Sequence, residues 1–325
     1  MNVAIIGAGI AGLATARTLK TAGIESVVFE KSRGLGGRVN TRTTQGYVFD
    51  TGATSVAPRG KAIEKVLLQE LPQEGLIKVE KPIFVHTGLR VSRGDQSRAT
   101  DRYVYQSGLQ QLATNLAHDL KVHFNTEIEE VIRDGNKYIV KEEIFDALVL
   151  TAPIPQTSQL LWSMSENRPL ANAAYRSCLS VMLGFSQPNP DIHYHAILEP
   201  EQVHPMTWLS IESVKSPGRA DADKCAMVMQ MSARFSQENY QKSDAWIIDT
   251  ALQFTRSLYG EAFHQAEVAM VKKWKYSQPT GLGKFEAVNI PGSTLLIASD
   301  GITGGRIEEA YECGVKVANL LIDIE

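Results

Sequence analysis

Gly7, Gly9 and Gly12 stand at the spacing G-x-G-x-x-G, and Glu30 closes the next apolar run. Glycines so spaced do what side chains would prevent. The first permits a tight turn, the second lets backbone approach a pyrophosphate, and the third lets a helix pack closely on a strand. An acid after the following strand can accept hydrogen bonds from both hydroxyls of a ribose. The pattern points to an ADP-ribose site, with Ile10 and Ala11 opening a helix whose free N–H groups and dipole suit phosphate. A second close-approach loop follows in Lys31-Ser32-Arg33-Gly34-Leu35-Gly36-Gly37-Arg38. There Lys31 and Gly37 flank the expected pyrophosphate, and Arg38 offers it a two-pronged donor.

Positioning these residues takes a strand, a helix and a second strand. Met1 to Ile6 reads as an apolar strand, LATARTLKTAG as a helix, and Ser26 to Phe29 as the next strand, a dinucleotide-binding βαβ unit. Downstream, Tyr47 to Ala53 reads as a strand ending in a turn, and residues 61–70 have helical apolar spacing. Short strand-like pieces fill 83–106, a helix opens after Ser107-Gly108, and a hairpin turns through Asp134-Gly135. Phe145 to Leu150 is a buried strand that ends at Thr151-Ala152-Pro153. From about 155 to 270 the pattern changes: a helix near 168–177, strands at 180–185, 193–198, 206–211 and 225–233, and a helix at 243–259 suit an antiparallel sheet with helices on one side. The end returns to the first style. Ser293 to Ala298 is a buried strand, Asp300-Gly301 turns it, and Ile307 to Leu321 is a helix.

Composition excludes several classes. A net charge of −3 gives no basic field for nucleic acid or an anionic membrane. The three cysteines, Cys178, Cys225 and Cys313, are odd in number and far apart, which argues against a disulfide framework or a zinc cluster. No apolar run approaches the ~20 residues that span a bilayer, and no secretory leader is expected ahead of the first strand. The expectation is a cytoplasmic protein of a reducing compartment. His193, His195 and His204 lack cysteine or acidic partners at ligand spacing, so no metal is expected. No G-x-S-x-G elbow suggests a hydrolase.

Taken together, these motifs resemble the flavin-containing amine oxidase superfamily, and within it the renalase-like enzymes. The G-A-G-I-A-G run with Glu30 is similar to its FAD adenosine site, Gly36-Gly37-Arg38 to its pyrophosphate loop, and Asp50-Thr51-Gly52-Ala53 to its D-x-G-A segment beside the flavin ring. Asp300-Gly301 and the run from Glu309 to Gly314 are similar to its closing cassette. The resemblance implies FAD over NAD, held noncovalently, because the superfamily's attachment cysteine motif is missing. It implies that Ile128 presents its backbone to adenine, that Asp300 bonds the ribityl or pyrophosphate part, and that the backbone at Arg306 and Ile307 faces the flavin N1–C2=O edge. Gly52, Ala53 and Ala152 complete the expected cofactor contacts. Met206 to Leu209 followed by Lys215-Ser216-Pro217-Gly218-Arg219, and Lys273-Trp274-Lys275-Tyr276, are similar to stretches of the renalase-like subgroup. Departures there, Lys272-Lys273 in place of histidine-arginine and Ser216 inside the K-P-G-R, fall in the region expected to meet substrate.

The fold expected is α/β, a three-layer Rossmann-like FAD-binding domain with a parallel sheet and an inserted antiparallel-sheet-plus-helix substrate domain, as in p-hydroxybenzoate hydroxylase and amine oxidases. The FAD-binding domain would comprise 1–60, 104–154 and 271–325, and the substrate domain 61–103 and 155–270. The flavin would carry the redox chemistry. Candidate substrate residues are Trp208, Trp274 and Tyr276 as aromatic walls, with Arg42 and Arg59 for a phosphate-bearing substrate. Lys273 and Tyr276 are the candidate catalytic side chains. The resemblance suggests a dihydronicotinamide donor, NAD(P)H or an isomer, giving hydride to flavin N5, with oxygen or another acceptor reoxidising it. The alternatives are an amine oxidase proper and a nucleotide-binding protein without a catalytic role.

Overall fold

The computed structural model describes residues 1–87, 90–97, 99–170 and 174–325. Its first sheet has five parallel strands in the order Leu295–Ile297, Ala147–Leu150, Asn2–Ile6, Glu25–Phe29, Lys121–His123. A parallel strand covered on both faces has to be apolar throughout, and Val3, Ala4, Ile5 and the whole of Ala147 to Leu150 are fully buried. The chain's last strand thus joins its first through Ala147–Leu150. The first helix, Ile10–Thr21, packs on the last, Ile307–Ile322. A Cβ at Gly314 would meet the Ala11 carbonyl oxygen at 2.2 Å, so only glycine lets these helices touch.

The second sheet has seven strands in the order Val268–Pro279, Tyr175–Phe185, Cys225–Met231, Met206–Ile211, Ala196–Leu198, Ile83–Thr87, Arg90–Ser92. All neighbours are antiparallel except Ile83–Thr87 beside Ala196–Leu198. Strand alternation sorts its two faces. Leu179, Val181, Leu183 and Phe185 pack with Ile247 and Ala251 of the covering helix Asp244–Tyr259. Met182, between them, packs with Tyr47 and Phe49 on the opposite face. No helix among the described residues is long and apolar enough to cross a membrane.

Three expectations are corrected. The helix expected near 168–177 is not formed: Tyr175–Phe185 is a strand, because its long apolar run finds partners on both sides. Residues 171–173 of that expectation lie outside the described residues. Segments 61–71 and 155–164 were expected in the substrate domain, yet Ile63, Val66, Leu67, Leu71, Leu160, Leu161 and Met164 belong to the core around the parallel sheet. Their apolar helical stripes bury against that sheet's helices. The division expected at residue 271 falls inside Val268–Pro279, an edge strand of the seven-stranded sheet.

Four wholly buried charges join the hairpin Thr41–Thr44/Tyr47–Asp50 to the segment that follows Met206–Ile211 of the seven-stranded sheet. Asp50 Oδ2 faces Lys215 Nζ at 3.1 Å and Arg219 Nη1 at 2.6 Å. Glu212 Oε1 faces Lys215 Nζ at 2.7 Å, and its Oε2 faces Arg219 Nη1 at 2.5 Å. Further hydrogen bonds surround the set: Leu109 N and Thr41 Oγ1 donate to Asp50 Oδ1, Ser210 Oγ donates to Glu212, and Arg219 Nη2 donates to the Tyr105 carbonyl, while Arg219 Nε has no partner among the described residues. Burial alone would raise the Asp50 carboxyl, but Lys215, Arg219 and the Leu109 N–H hold it below the usual range. Removing one partner of such a set leaves a buried charge uncompensated, which costs about 3–5 kcal/mol. Arg219→Met should therefore lose about that much in urea denaturation at neutral pH; a loss below about 1 kcal/mol would contradict the joint's role. Because the folded carboxyl is depressed, Asp50 stabilises above the unfolded value near 3.9 and ceases to do so as pH falls through its folded value. Wild-type acid unfolding should show this contribution vanishing below about pH 4, and Asp50→Asn should flatten that limb.

Candidate functional site

One cavity of about 2170 Å³ runs between the sheets. Pockets for single small ligands are ~300–1,000 Å³, so this one has room for a dinucleotide and a substrate together. Its floor at one end is the glycine turn. Gly7 sits at φ +110°, a conformation that favours glycine, and a Cβ there would meet Thr151 Oγ1 at 2.6 Å. A Cβ at Gly12 would meet the Gly7 carbonyl oxygen at 2.1 Å, whereas one at Gly9 would meet nothing within 4 Å. Gly7 and Gly12 are closed by sterics and Gly9 opens on the cavity, which is the division of labour the sequence predicts. The first helix begins with Gly9 as its cap and no side chain covers its amides. The Gly36 N–H donates to the Ala8 carbonyl at 2.9 Å, bringing the second glycine loop alongside the first.

Glu30 is nearly buried and lines the cavity. Its oxygens accept from the Ala8 and Ser32 amides, both at 2.8 Å. A carboxylate oxygen has two lone pairs, so acceptor capacity remains on each for a hydroxyl. Backbone bonds from Asn125 to Ser32 and from Thr126 to Glu30 place Ile128 on the same wall. Lys31 lies there too, loosely paired with Glu127 at 3.7 Å.

Further along, Thr51-Gly52-Ala53 runs against Arg38–Asn40: the Thr51 N–H donates to the Asn40 carbonyl and the Ala53 N–H to that of Arg38. From the other sheet, Trp274 Nε1 donates to the Thr51 carbonyl at 2.9 Å, and Gln230 Nε2 donates to that of Gly52. Arg38 Nη1 donates to Asp300 Oδ2 and to the Ser277 carbonyl. Tyr175 donates to Asp300 Oδ1 at 2.7 Å, and its ring meets Tyr276 edge-on. Arg38 and Asp300, singled out separately in the sequence, are thus partners of one ion pair.

Of the predicted cofactor residues, Gly7, Gly9, Ile10, Ala11, Glu30, Lys31, Gly37, Arg38, Gly52, Ala53, Ile128, Ala152, Asp300, Arg306 and Ile307 all line the cavity. Gly12 lies beneath it, as its packing role requires. Arg42, Arg59, Trp208, Trp274 and Tyr276 line it as well. Lys273 does not. Its Nζ donates to the Lys242 carbonyl at 2.7 Å and faces Asp244 at 3.4 Å, on the outer face of the strand. Alternation gives the inner face to Lys272, whose Nζ lies 4.8 Å from the Trp274 ring centre. Lys215 and Arg219, expected near substrate, are absorbed by the buried joint. Among the described residues no group of three His, Cys, Asp or Glu side chains could hold a metal ion. His195 is buried against the Lys81 carbonyl.

Sequence reading missed Gln230, Tyr175, Cys178, Arg102 and Glu308, which bond or line the site. The strand alternation of 225–231 and 175–185 carried a signal for Gln230 and Cys178. Arg102 had none, because it sits in a polar stretch without period. Glu308 stands directly before the closing cassette and was passed over.

Residues 5–71 match the model of the NAD(P)-binding Rossmann-like domain, and residues 86–322 that of the flavin containing amine oxidoreductases. A 4,4'-diapophytoene desaturase of Staphylococcus aureus (strain Newman) is 45% identical over 56 residues, 17% of this chain and 11% of the desaturase. That match spans only a small part of the relative's length. Among solved structures, a candidate protoporphyrinogen oxidase from Exiguobacterium sp. 255-15 has 15% identity and a TM-score of 0.81, over 100% of this chain and 99% of its own. Cyclohexylamine oxidase from Brevibacterium oxydans has 12% identity and a TM-score of 0.76, over 99% and 98%. A putrescine oxidase bound to putrescine has 14% identity and a TM-score of 0.76, over 99% of both chains. At these identities the likeness is one of fold.

A Cβ added at Gly52 would stand 2.2 Å from the Arg38 carbonyl oxygen and 3.3 Å from Trp274 Cζ2. Neither neighbour can withdraw, since backbone holds one and the Thr51 hydrogen bond the other. Overpacking costs about 1–3 kcal/mol, on the order of tenfold in an equilibrium constant. Gly52→Ala should therefore bind FAD on the order of tenfold more weakly, read as visible flavin absorbance per protein after dilution and filtration. Undiminished FAD retention would remove Gly52 from the site.

Proposed function

Because the chain belongs to the flavin-containing amine oxidoreductase family, we propose that it is the FAD enzyme for a small reduced donor, a dihydronicotinamide such as NAD(P)H or an isomer of it. Bound FAD supplies the hydride acceptor. The residues of the nucleotide half would hold it: Glu30 and Ile128 at the adenosine, the Ile10 and Ala11 amides and Gly37 at the pyrophosphate, Gly52, Ala53, Asp300 and Ile307 further along. The start of the last helix, with Arg306 as its cap, would direct its N–H groups and positive dipole end toward the flavin and favour negative charge there.

One observation carries the donor assignment. On the substrate half, flat aromatic surface lies beside cations. Trp208, Trp274 and Tyr276 line the cavity. Lys272 and Lys275 lie over the Trp274 and Tyr276 rings, and Arg42 and Arg59 line the same cavity. A flat ring that carries phosphates matches both properties, stacking on the aromatic side chains and pairing with the cations. Such a donor releases a hydride without prior removal of a proton, so no strong base is required. Two electrons and the hydrogen leave the donor's C–H bond together, the donor becomes a pyridinium, and oxygen or another acceptor finally takes the electrons.

The cysteines favour noncovalent cofactor binding. Cys225 and Cys313 are fully buried. Cys178 lines the cavity, but burial pushes its thiol up to about 12, which keeps it a poor nucleophile. All three are free thiols, which supports a cytoplasmic location.

Anaerobic mixing decides between donors. NAD(P)H or one of its dihydro isomers should bleach the flavin band in a single fast phase, while putrescine and cyclohexylamine should not. Bleaching by amines alone would make the protein an amine oxidase proper. Retained flavin that no donor bleaches would favour a non-catalytic nucleotide-binding role.

A further inference from the structure

Arg59, Arg102 and Arg306 reach the cavity from three separate segments. Val56 and Tyr103 exchange backbone hydrogen bonds of 2.9 and 2.8 Å, which sets Arg102 beside Ser55. Arg102 Nη1 donates to Ser55 Oγ at 3.2 Å, and Arg59 Nη2 donates to Thr100 Oγ1 at 2.9 Å. Just beyond Arg59, the Ala62 and Ile63 amides donate to Glu312 Oε1 at 3.1 and 3.2 Å. That contact seats the Arg59 turn on the last helix, one turn from Glu308, because i and i+4 share a face. Arg306 caps the same helix. None of the three guanidinium groups makes an ion pair within 4.0 Å among the described residues, whereas Arg38, elsewhere in the cavity, is paired with Asp300.

Glu308 stands among them, 6% exposed, lining both the cavity and a smaller pocket of about 340 Å³ behind it. Burial holds its carboxyl above the ordinary range despite Arg306 and Arg59, with Glu309 adding to the rise. Burial and the facing charges of Arg59 and Arg306 hold the Arg102 guanidinium below its ordinary value, against the pull of Glu308. Of Glu308, Glu309 and Glu312 only Glu308 lines the cavity; Glu309 accepts from the Arg306 amide and Glu312 from the Ala62 and Ile63 amides, so the guanidinium groups face the cavity with one acid among them.

The cluster is separate from the pyrophosphate site at the first helix. Gly314 is level with Ala11, where the first and last helices touch. Ile307 opens the last helix seven residues before Gly314, about 10 Å at 1.5 Å per residue. The last helix therefore begins about two turns beyond that contact, and the three arginines gather at that start.

We propose that Arg59, Arg102 and Arg306 form an anion subsite that binds a phosphate or pyrophosphate group of the electron donor. Guanidinium forks match phosphate oxygens in pairs. The identity of the donor rests on the dihydronicotinamide reading above; the existence of the subsite does not.

The test is calorimetric titration of the FAD-loaded protein with inorganic pyrophosphate. The wild type should bind it. Arg59→Gln/Arg102→Gln should bind it about tenfold or more weakly, the loss expected from hydrogen bonds to charged groups. Arg256→Gln, on the distant helix where Arg256 pairs with Glu261, should bind as the wild type does. FAD content should be equal in all three. Should the double variant fail to fold, Arg59→Gln alone, at an exposed side chain, should weaken binding in the same direction. Absence of pyrophosphate binding, equal weakening by Arg256→Gln, or loss of FAD from the arginine variants would overturn the subsite. A second arm compares reduced nicotinamide mononucleotide with reduced nicotinamide riboside as flavin reductants. Tighter apparent binding of the mononucleotide, lost in Arg59→Gln, places the anion on the donor. If both reduce equally well, the anion does not belong to the donor and that part fails. If neither reduces the flavin, the donor reading falls, and the pyrophosphate titration still decides the subsite.

Discussion

Lys215 and Arg219 lie out of water with Asp50 and Glu212 as their counter-charges. Four charges can be buried in so small a volume only as a complete set, because each one left alone would be held in a medium that cannot solvate it. Completeness demands that two parts of the chain arrive together. Asp50 ends a strand that leads directly into Thr51-Gly52-Ala53, and the other three lie on the segment after Met206–Ile211 of the seven-stranded sheet. A correct joint therefore fixes the cavity loop relative to the seven-stranded sheet. Trp274 and Gln230 then hold the same loop from its far side.

On the nucleotide side the constraint is steric. Gly7, Gly12, Gly52 and Gly314 each sit where a single added carbon would strike a fixed backbone or side-chain oxygen within 2.6 Å. Gly12 and Gly314 bring the first helix onto its strand and the last helix onto the first. Gly52 lets the loop pass under Arg38. The cavity's shape follows from these close approaches, and Gly9 remains as the one member of the fingerprint whose missing side chain leaves open space.

The nucleotide half was legible because its signals are local. A glycine turn, the strand before it and the acid after it occupy thirty residues, and the closing strand-turn-helix repeats the style in thirty more. What failed was whatever depended on a distant partner. Tyr175–Phe185 read partly as helix because its pairing strands lie far along the chain. The helices at 61–65 and 154–163 showed apolar stripes, but a stripe does not say which core receives it. Lys215 and Arg219 were expected near substrate, since nothing near them in sequence except Glu212 predicts burial with Asp50. Lys273, a candidate by resemblance, lies on the outer face; period-two alternation fixes two faces and leaves open which one looks inward.

The buried joint also explains where the cavity's field comes from. Its two acids and two bases cancel, so from the cavity it presents no net charge. Arg38 and Asp300 cancel likewise. What remains unbalanced on the substrate half is Arg42, Arg59, Arg102, Lys272, Lys275 and Arg306, against Glu199, Glu308 and an Asp244 already facing Lys273. A protein with a net charge of −3 thus keeps a positive interior wall, and low-dielectric walls focus such a field on whatever enters. These cations form no part of the joint, the glycine contacts or either apolar core. Exchanging them would change the field inside the cavity while leaving the parts that fix the fold intact, so the fold does not by itself decide the charge of what the cavity receives.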